Sequence, residues 1–146
     1  MGFRIKHIDG GDEDHAEEMA ALNELAFVAD GGSAPKLDTS YGDWWLVYDD
    51  RDRSAAFAGL TRSTLGNNVG YLKRTGVVSE YRGYGLQRRL IRVREVRARR
   101  LGLMSLVTDT TDNNPSANNL IRCGYTLFTP RVPWAFATSL YWRKTL

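Results

Sequence analysis

The chain has 146 residues, of which 42% are hydrophobic and 25% charged, with a net formal charge of +3. This length suits one domain with its own core, so we expect a single domain over residues 1–146. The small basic excess suits an anionic ligand and argues against a dedicated nucleic-acid arm. No apolar run approaches the length of a membrane span, and the N-terminus lacks the apolar core of a signal peptide.

The cysteine and histidine content bears on compartment and metals. The single Cys123 cannot form an internal disulfide, which fits a reducing cytosol, and we expect a cytoplasmic protein. His7 and His15 have no cysteine partners at metal-ligand spacing, so we expect no metal site.

The chain begins with a predicted strand and helix. Apolar and polar residues alternate over 3–8, which is typical of a strand. Residues 14–17 resemble a capping box, so the helix is expected to begin there. His15 falls in its first turn, and we interpret it as a surface or capping residue rather than a catalytic one. The apolar stripe of this helix consists of Met19, Leu22, Leu25 and Ala26.

Three further strands follow closely in sequence. Aromatic and β-branched residues predict a strand over 43–48, and turn residues separate it from apolar runs over 55–60 and 69–78. Because these runs are joined by short turns, we expect an antiparallel meander. Residues 29–42, rich in glycine and polar residues, are predicted to form a loop, with a short helix left open.

A strand–helix–strand unit is predicted next. The helix spans 86–101 and leads to a strand over 104–108, which should lie parallel to the strand before the helix. The expected apolar side carries Leu86, Leu90, Val93 and Leu101. The arginines expected to face solvent are Arg89, Arg92, Arg99 and Arg100. Their density invites a nucleic-acid interpretation, but no aromatic residues accompany them for base stacking.

The last part of the chain predicts a short helix and two strands. Asn114 can cap the helix, with Pro115 at its first position and Gly124 at its end. Strands are expected over 125–128 and 139–144.

The stretch between the fourth strand and the long helix carries the strongest functional signal. Gly83 and Gly85 can adopt turn conformations closed to other residues, and the bare N–H groups of a helix start attract anions. Arg82 and Arg88 add charge at both ends. The spacing lacks the Gly-Lys-Ser/Thr of nucleotide hydrolases, and Arg88 occupies the third glycine's place in the dinucleotide fingerprint.

Residues 82–87 resemble the coenzyme A pyrophosphate loop of the GCN5-related N-acetyltransferases, whose pattern is Arg/Gln-x-x-Gly-x-Gly/Ala. Gln87 departs from the final Gly/Ala. A second family signature, Asn followed three residues later by Ser or Ala and then by Gly-Phe or Gly-Tyr, is matched by Asn113, Ser116 and Gly124-Tyr125, with Asn114 as a near alternative. The resemblance covers residues 69–125.

This resemblance implies an α/β fold of the α+β type. Its mixed, mostly antiparallel sheet has six or seven strands with helices on both faces, and its fourth and fifth strands are parallel and splayed apart. It also implies acetyl transfer from acetyl-coenzyme A to an amine. Carried over, the coenzyme-binding residues are Gly76, Val77, Val78, Arg82, Gly83, Tyr84, Gly85, Leu86, Gln87, Arg88, Asn113, Asn114 and Ser116.

The resemblance implies a catalytic role for the backbone of the fourth strand, where the Val77 N–H would stabilise the thioester oxyanion. Leu120 stands where many relatives have a tyrosine that protonates the leaving thiolate. Tyr84 is a substitute acid, and Glu80 and Asp109 are candidate bases through their closeness to the implied cleft.

The acceptor side is left more open. Tyr41, Trp44, Trp45 and Trp134 are candidates to frame an amine by cation–π contact, with core packing as the competing interpretation. The acceptor is expected to be a small-molecule or peptide amine, and a homodimer stays open. The alternative functions are an acyl-coenzyme A sensor without turnover and a basic nucleic-acid binder.

Overall fold

The computed structural model describes residues 1–28 and 36–146. Part of the predicted loop over 29–42, residues 29–35, therefore lies outside the described residues, and residues 36–42 form neither helix nor strand. The elements in chain order are β1 (Phe3–Asp9), α1 (Glu13–Val28), β2 (Asp43–Asp49), β3 (Ser54–Arg62), β4 (Val69–Val77), a 3-10 turn (Ser79–Tyr81), α2 (Leu86–Arg100), β5 (Ser105–Thr110), α3 (Asn114–Arg122), β6 (Thr126–Leu127) and β7 (Leu140–Thr145).

The described strands form one seven-stranded sheet in the order β1-β2-β3-β4-β5-β7-β6. β1 to β4 are joined as an antiparallel meander, and β4 and β5 form the parallel pair. The predicted mixed, mostly antiparallel fold class is thus confirmed. None of the described helices is long and apolar enough to cross a membrane.

The parallel pair separates soon after it forms. β4 has nine residues, but only Val69, Gly70 and Tyr71 pair with β5. Thr108 Oγ1 donates to the Leu72 carbonyl at 2.9 Å, just where the strands begin to part. The second half of β4 therefore leaves β5, and a fork opens between them.

A β-bulge lies in β4 at the fork. Lys73 pairs with Gly59 and Thr75 with Ala58, so Arg74 is the extra residue, and its φ is +34°. A bulge of this kind bends a strand and re-aims its side chains.

Beyond the bulge, the neighbouring residues Thr75 and Gly76 face opposite sides of the sheet, against different helices. Thr75 Oγ1 accepts a hydrogen bond from Arg94 of α2, whereas a Cβ on Gly76 would meet Ala26 of α1 at 3.0 Å. Because successive side chains in a strand point to opposite faces, α1 and α2 cover opposite faces of the sheet. This confirms helices on both faces.

The helix predictions need corrections at their ends. Asp12 caps α1, because its Oδ1 accepts from the Asp14 N–H at 2.9 Å, so Asp14 is not the cap. Met19, Leu22 and Ala26 are buried as predicted, but Leu25 is 55% exposed and does not belong to the stripe. α1 has sixteen residues, and its 3.6-residue period places Leu25 outside the apolar face that Met19, Leu22 and Ala26 form.

The long helix α2 ends at Arg100, and the predicted apolar side holds for Leu86 and Leu90, which are buried. Leu101 lies beyond the helix and is exposed, which corrects its assignment to that side. The four arginines predicted to face solvent do so. Arg94 is nevertheless fully buried.

Candidate functional site

A cleft of about 780 Å³ opens where β4 leaves the sheet. Its wall combines the end of α1, the second half of β4, the glycine turn, the first turn of α2 and the start of α3. The lining residues include Ala26, Phe27, Thr75, Gly76, Val77, Arg82, Gly83, Gly85, Leu86, Gln87, Arg88, Asn113, Ser116 and Arg122. Most of the residues that the resemblance assigned to the coenzyme thus meet in one cleft.

The glycine turn adopts the conformation that its sequence predicts. Gly83 has φ +85° and Gly85 has φ +74°, both in the left-handed region that favours glycine. Gly85 is the N-cap of α2, and no side chain of the described residues caps the helix. The first N–H groups of α2, on Leu86, Gln87 and Arg88, therefore have no capping partner, and these residues line the cleft. Such a helix start, with its positive dipole end, suits a phosphate.

Arg82 joins three elements around the cleft. Its Nε donates to the Val77 carbonyl and its Nη2 to the Ala26 carbonyl, both at 3.3 Å. The side chain therefore fastens the glycine turn to β4 and to α1. Arg88, with Nη2 3.5 Å from where a Gly85 Cβ would stand, remains beside the helix start.

Gln87, the departure from the family pattern, bridges two helices. Its Nε2 donates to Ser116 Oγ at 2.9 Å, and its Oε1 accepts from Asn119 Nδ2 at 2.8 Å. The larger side chain thus links the start of α2 to α3 across the cleft.

The cap of α3 decides between the two asparagines of the second signature. Asn113 is the N-cap, and its Oδ1 accepts from the Ser116 N–H at 3.1 Å. Asn114 is the first helical residue and Pro115 the second, so the prediction of Asn114 as cap is wrong by one position. The asparagine of the signature is therefore Asn113.

The edge of β4 that faces the fork follows from its hydrogen-bond register. Val78 N–H donates to the Ala55 carbonyl at 3.0 Å, and Val77 is in register with Ala56. Residues of an antiparallel pair alternate between bonding their partner and pointing away from it. The Val77 N–H therefore points away from β3, toward the side that β5 has vacated, while the Gly76 N–H is directed at β3.

The candidate acid and bases are placed very differently. Glu80 lies exposed in the 3-10 turn and does not line the cleft. Tyr84 is 47% exposed, does not line the cleft, and packs its ring edge-on against Phe3 with centroids 5.3 Å apart. Asp109 is half-buried on β5 and does not line the cleft either. It accepts hydrogen bonds from the Tyr71 hydroxyl at 2.7 Å and from Trp134 Nε1 at 2.8 Å.

The surroundings of Tyr71 keep its hydroxyl protonated. Burial raises the pKa of the Tyr71 hydroxyl well above its usual value, and the adjacent Asp109 carboxylate raises it further. Tyr71 therefore stays protonated and keeps donating to Asp109 at any physiological pH.

A second pocket of about 230 Å³ lies on the outer side of β4. It is lined by Tyr41, Thr61, Arg62, Ser63, Thr64, Tyr71, Lys73 and Trp134. Tyr41 and Trp134, two of the four aromatic residues predicted for the acceptor, thus share a pocket.

The other two aromatic residues are core residues, and the prediction that they frame an acceptor is corrected. Trp44 is 0% exposed, donates from Nε1 to the Tyr41 carbonyl at 2.9 Å and packs over Gly59. Trp45 is 5% exposed and packs against His7 with ring centroids 5.0 Å apart. Adjacent strand residues face opposite sides of the sheet, and both sides of β2 are covered here.

Sequence reasoning missed the support of the glycine turn. Tyr81 of the 3-10 turn donates from its hydroxyl to Asp49 Oδ2 at 2.7 Å, and Asp49 is almost completely buried. Tyr81 and Asp49 are 32 positions apart in the chain. An aspartate at a strand end predicts a turn but not a contact with a distant tyrosine.

A sheet forked between parallel strands, with an uncapped glycine turn at the mouth of the fork, defines the class of acetyltransferases to which the sequence pattern pointed. The family model described as Acetyltransferase (GNAT) family matches residues 11–125. The chain belongs to this family. No curated protein sequence matches the chain.

Solved structures share the fold at low sequence identity. A protein described as an N-acetyltransferase from Lactobacillus plantarum is 18% identical with a TM-score of 0.80, and the match covers 100% of this chain and 99% of the other. The NatC complex bound to Gag peptide and CoA contains a chain that is 15% identical with a TM-score of 0.76, covering 100% and 99%. A protein described as a streptothricin acetyltransferase from Bacillus anthracis, in complex with acetyl coenzyme A, is 19% identical with a TM-score of 0.58, covering 72% and 62%.

Proposed function

We propose that the protein transfers an acetyl group from acetyl-coenzyme A directly to an amine acceptor, with both substrates bound at once. The observation that carries this proposal is that the uncapped first turn of α2, the left-handed Gly83 and Gly85 and the fork edge of β4 meet in one cleft. The helix start and the two glycines suit a pyrophosphate, and the exposed edge of β4 suits an amide-containing arm. The Bacillus anthracis neighbour, solved with acetyl-coenzyme A, supports the choice of coenzyme.

The coenzyme is proposed to lie along the cleft with its pyrophosphate on the glycine turn. There the N–H groups of Leu86, Gln87 and Arg88 and the Arg88 guanidinium would meet the phosphate oxygens. The pantetheine arm would extend beside β4 toward Val77. Asn113 and Ser116 would shape the far wall, because the Asn113 side chain accepts from the Ser116 N–H and the Ser116 hydroxyl accepts from Gln87.

In the proposed reaction the amine nitrogen attacks the thioester carbon, a carbon–nitrogen bond forms and the carbon–sulfur bond breaks. The Val77 N–H, directed into the fork, would stabilise the oxyanion of the tetrahedral intermediate. The amine proton would pass through water to Asp109, which lies on β5 beyond the last residue paired with β4, whereas Glu80 is exposed in the 3-10 turn. A thiol with a pKa of about 8.5 leaves without a strong acid and takes its proton from solvent.

Two measurements test this function. Acetyl-coenzyme A near a millimolar should raise the melting temperature, because a ligand at 100 times its Kd stabilises the native state by about 2.7 kcal/mol. A thiol-release screen over small amines, polyamines, amino acids and peptides should then identify at least one acetylated class. Absence of any melting shift would contradict the whole assignment.

The second candidate is a regulatory module that binds acyl-coenzyme A without turnover. It is favoured by the buried Leu120 in place of the family's tyrosine and by the outward positions of Glu80 and Tyr84. Coenzyme binding without acetyl transfer to any amine in the screen would select it. The cytoplasmic location and the homodimer stay predictions.

A further inference from the structure

The second pocket, on the outer side of β4, is lined by residues that include Lys73, Arg62 and Trp134. We propose that it binds an anionic group of the acceptor, so that the substrate is an acidic amine: an amine that also bears a carboxylate or a phosphate. This inference rests on the proposed acetyl transfer.

The charge of the lining points to an anion. Lys73 and Arg62 supply two cations, and Thr61, Ser63 and Thr64 supply hydroxyl groups. No carboxylate is among the described residues that line this pocket. Cations and hydroxyls that converge on one small space are the donor set that carboxylate and phosphate groups accept from.

Lys73 is held in place without being neutralised by a direct ion pair. Its ammonium donates to the Tyr41 hydroxyl at 2.8 Å and contacts the Asp38 carbonyl at 3.4 Å. Hydrogen bonds from Ser40 and, more weakly, the charge of Lys73 lower the pKa of the nearby Asp38 carboxylate, but no described carboxylate lies within salt-bridge distance of Lys73. An ammonium has three donors, so one remains for a ligand.

The same geometry argues against a cation in this pocket. Tyr41, the ring expected to receive an acceptor amine, already holds the Lys73 ammonium 4.4 Å from its centroid. A second ammonium at that ring would meet a like charge in a half-buried site. The aromatic wall therefore positions the protein's own cation, and the complementary occupant is an anion.

Two residues that line the pocket also bind Asp109, the candidate base on β5. Tyr71 and Trp134 line the pocket, and both donate to Asp109 Oδ2 on β5. An acceptor with its anionic group near Lys73 can thus place its amine beside the Asp109 carboxylate, which attracts the protonated form. The volume of about 230 Å³ suits a compact group rather than a drug-sized ligand.

The test uses matched acceptor pairs that differ only in the acid group. An amino acid is compared with its amide, and an aminoalkyl phosphate with the corresponding amino alcohol, so that the two arms separate carboxylate from phosphate. For each pair, kcat/KM and the Kd in the presence of coenzyme A are measured. We expect the anionic member of at least one pair to be favoured about 10- to 100-fold, the range for a charged hydrogen bond.

Three variants locate the preference. Lys73→Met should abolish it and Lys73→Glu should reverse it, whereas Lys6→Met, an exposed lysine on β1, should retain it. Equal kcat/KM and equal Kd within both pairs, or a preference that survives Lys73→Met, would overturn the inference. Failure of coenzyme A itself to bind would instead contradict the proposed function, and the Kd comparison decides the pocket even if no pair is turned over.

Discussion

Arg94 Nη2 donates to Thr75 Oγ1 at 3.0 Å, which joins a buried charge of α2 to the half of β4 that leaves the sheet. The same guanidinium donates to the Gly59 carbonyl at 3.1 Å. Gly59 and Thr75 lie on either side of the bulge at Arg74, so the Arg94 side chain bridges the point where β4 bends. Burial lowers the pKa of Arg94 to about 10, and the group therefore stays protonated at neutral pH.

Replacing this arginine should destabilise the fold. Arg94→Met removes the donors to Gly59 and Thr75, and each buried polar group left without a partner costs about 1–3 kcal/mol. Urea unfolding followed by circular dichroism gives the change in the free energy of unfolding. Arg92→Met, on an exposed position of the same helix, is the matched control and should change it by less than about 0.5 kcal/mol. Indistinguishable unfolding of the two variants would show that the bulge is held without Arg94.

A carboxylate in the glycine turn should abolish coenzyme binding and leave the fold intact. Gly85→Glu puts a negative charge and a side chain at the N-cap of α2, where the phosphates are proposed to bind. We expect coenzyme A affinity to fall at least tenfold, since one charged hydrogen bond is worth about 1.5–3 kcal/mol. Calorimetric titration measures the affinity, and circular dichroism checks the fold.

The control for this change lies at the other end of the same helix. Gly102 has φ +77° and open space around its Cβ position, so Gly102→Glu has the same left-handed strain of about 1–2 kcal/mol without reaching the cleft. Undiminished coenzyme affinity in folded Gly85→Glu protein, or an equal loss in Gly102→Glu, would refute the placement of the phosphates.

The chemistry is expected to depend on the β4 backbone and not on position 120. Leu120 is buried, so Leu120→Ala should cost about 2–5 kcal/mol of stability while the folded fraction keeps its turnover. Val77→Pro removes the N–H proposed to bind the thioester oxygen, and losing one such donor costs about a hundredfold or more in rate. Single-turnover rates of the folded proteins compare the two.

Two controls make this comparison interpretable. Ile121→Ala changes an exposed neighbour and should leave stability unchanged. Gly76→Pro removes an N–H directed at β3 and puts a Cβ 2.5 Å from the Phe57 ring, so it should damage the sheet on both counts, whereas Val77→Pro should spare the ladder. Normal turnover by folded Val77→Pro together with dead, folded Leu120→Ala would reverse the assignment.

Stability at acid pH should depend on Asp49. Burial alone would raise the pKa of this carboxyl, but hydrogen bonds from the N–H groups of Arg51 and Arg53 and from the Tyr81 hydroxyl lower it well below its usual range. A depressed folded pKa contributes stability above the unfolded pKa of about 3.9, and this contribution is lost as the pH falls below it.

The lowered pKa of Asp49 predicts how stability changes with pH. The urea midpoint of the wild type should fall steeply below about pH 4, and Asp49→Asn should show a lower midpoint at pH 7 and a flatter acid limb. Asp50→Asn, at the exposed next position, should follow the wild type. Parallel acid limbs in Asp49→Asn and wild type would show that Asp49 does not carry this dependence.

Much of the fold and half of the site could be predicted because they depend on local pattern. Strand alternation and the glycine turn are properties of a few neighbouring residues, and two signatures in order predicted the cleft, whereas the helix cap predicted at Asn114 is Asn113. The bulge at Arg74 could not be predicted, because it is set by pairing with β3 and by contacts from α2.

The failures share a physical cause. Trp44 and Tyr84 have side chains that suit both a core and a binding site, and only the packing of distant strands decides between them. Arg94 stands in a helix whose other arginines mostly face solvent, and nothing in its sequence neighbourhood indicates that it is buried. The Asp49–Tyr81 contact joins residues that no sequence window holds together.

The bulge at Arg74 also makes this strand sensitive to its length. Side chains alternate between faces with a period of two, and the extra residue is what puts Lys73 in the outer pocket and Thr75 against α2. Inserting one more residue between Thr75 and Val77 would exchange the two faces for everything beyond the insertion and turn the Val77 N–H toward β3. Deleting Arg74 would instead leave the pairs Lys73–Gly59 and Thr75–Ala58 in place and remove the bulge. A scan of single-residue insertions should therefore find an intolerant stretch beyond the bulge even where single substitutions are harmless, because the strand is specified by its number of residues as much as by their kinds.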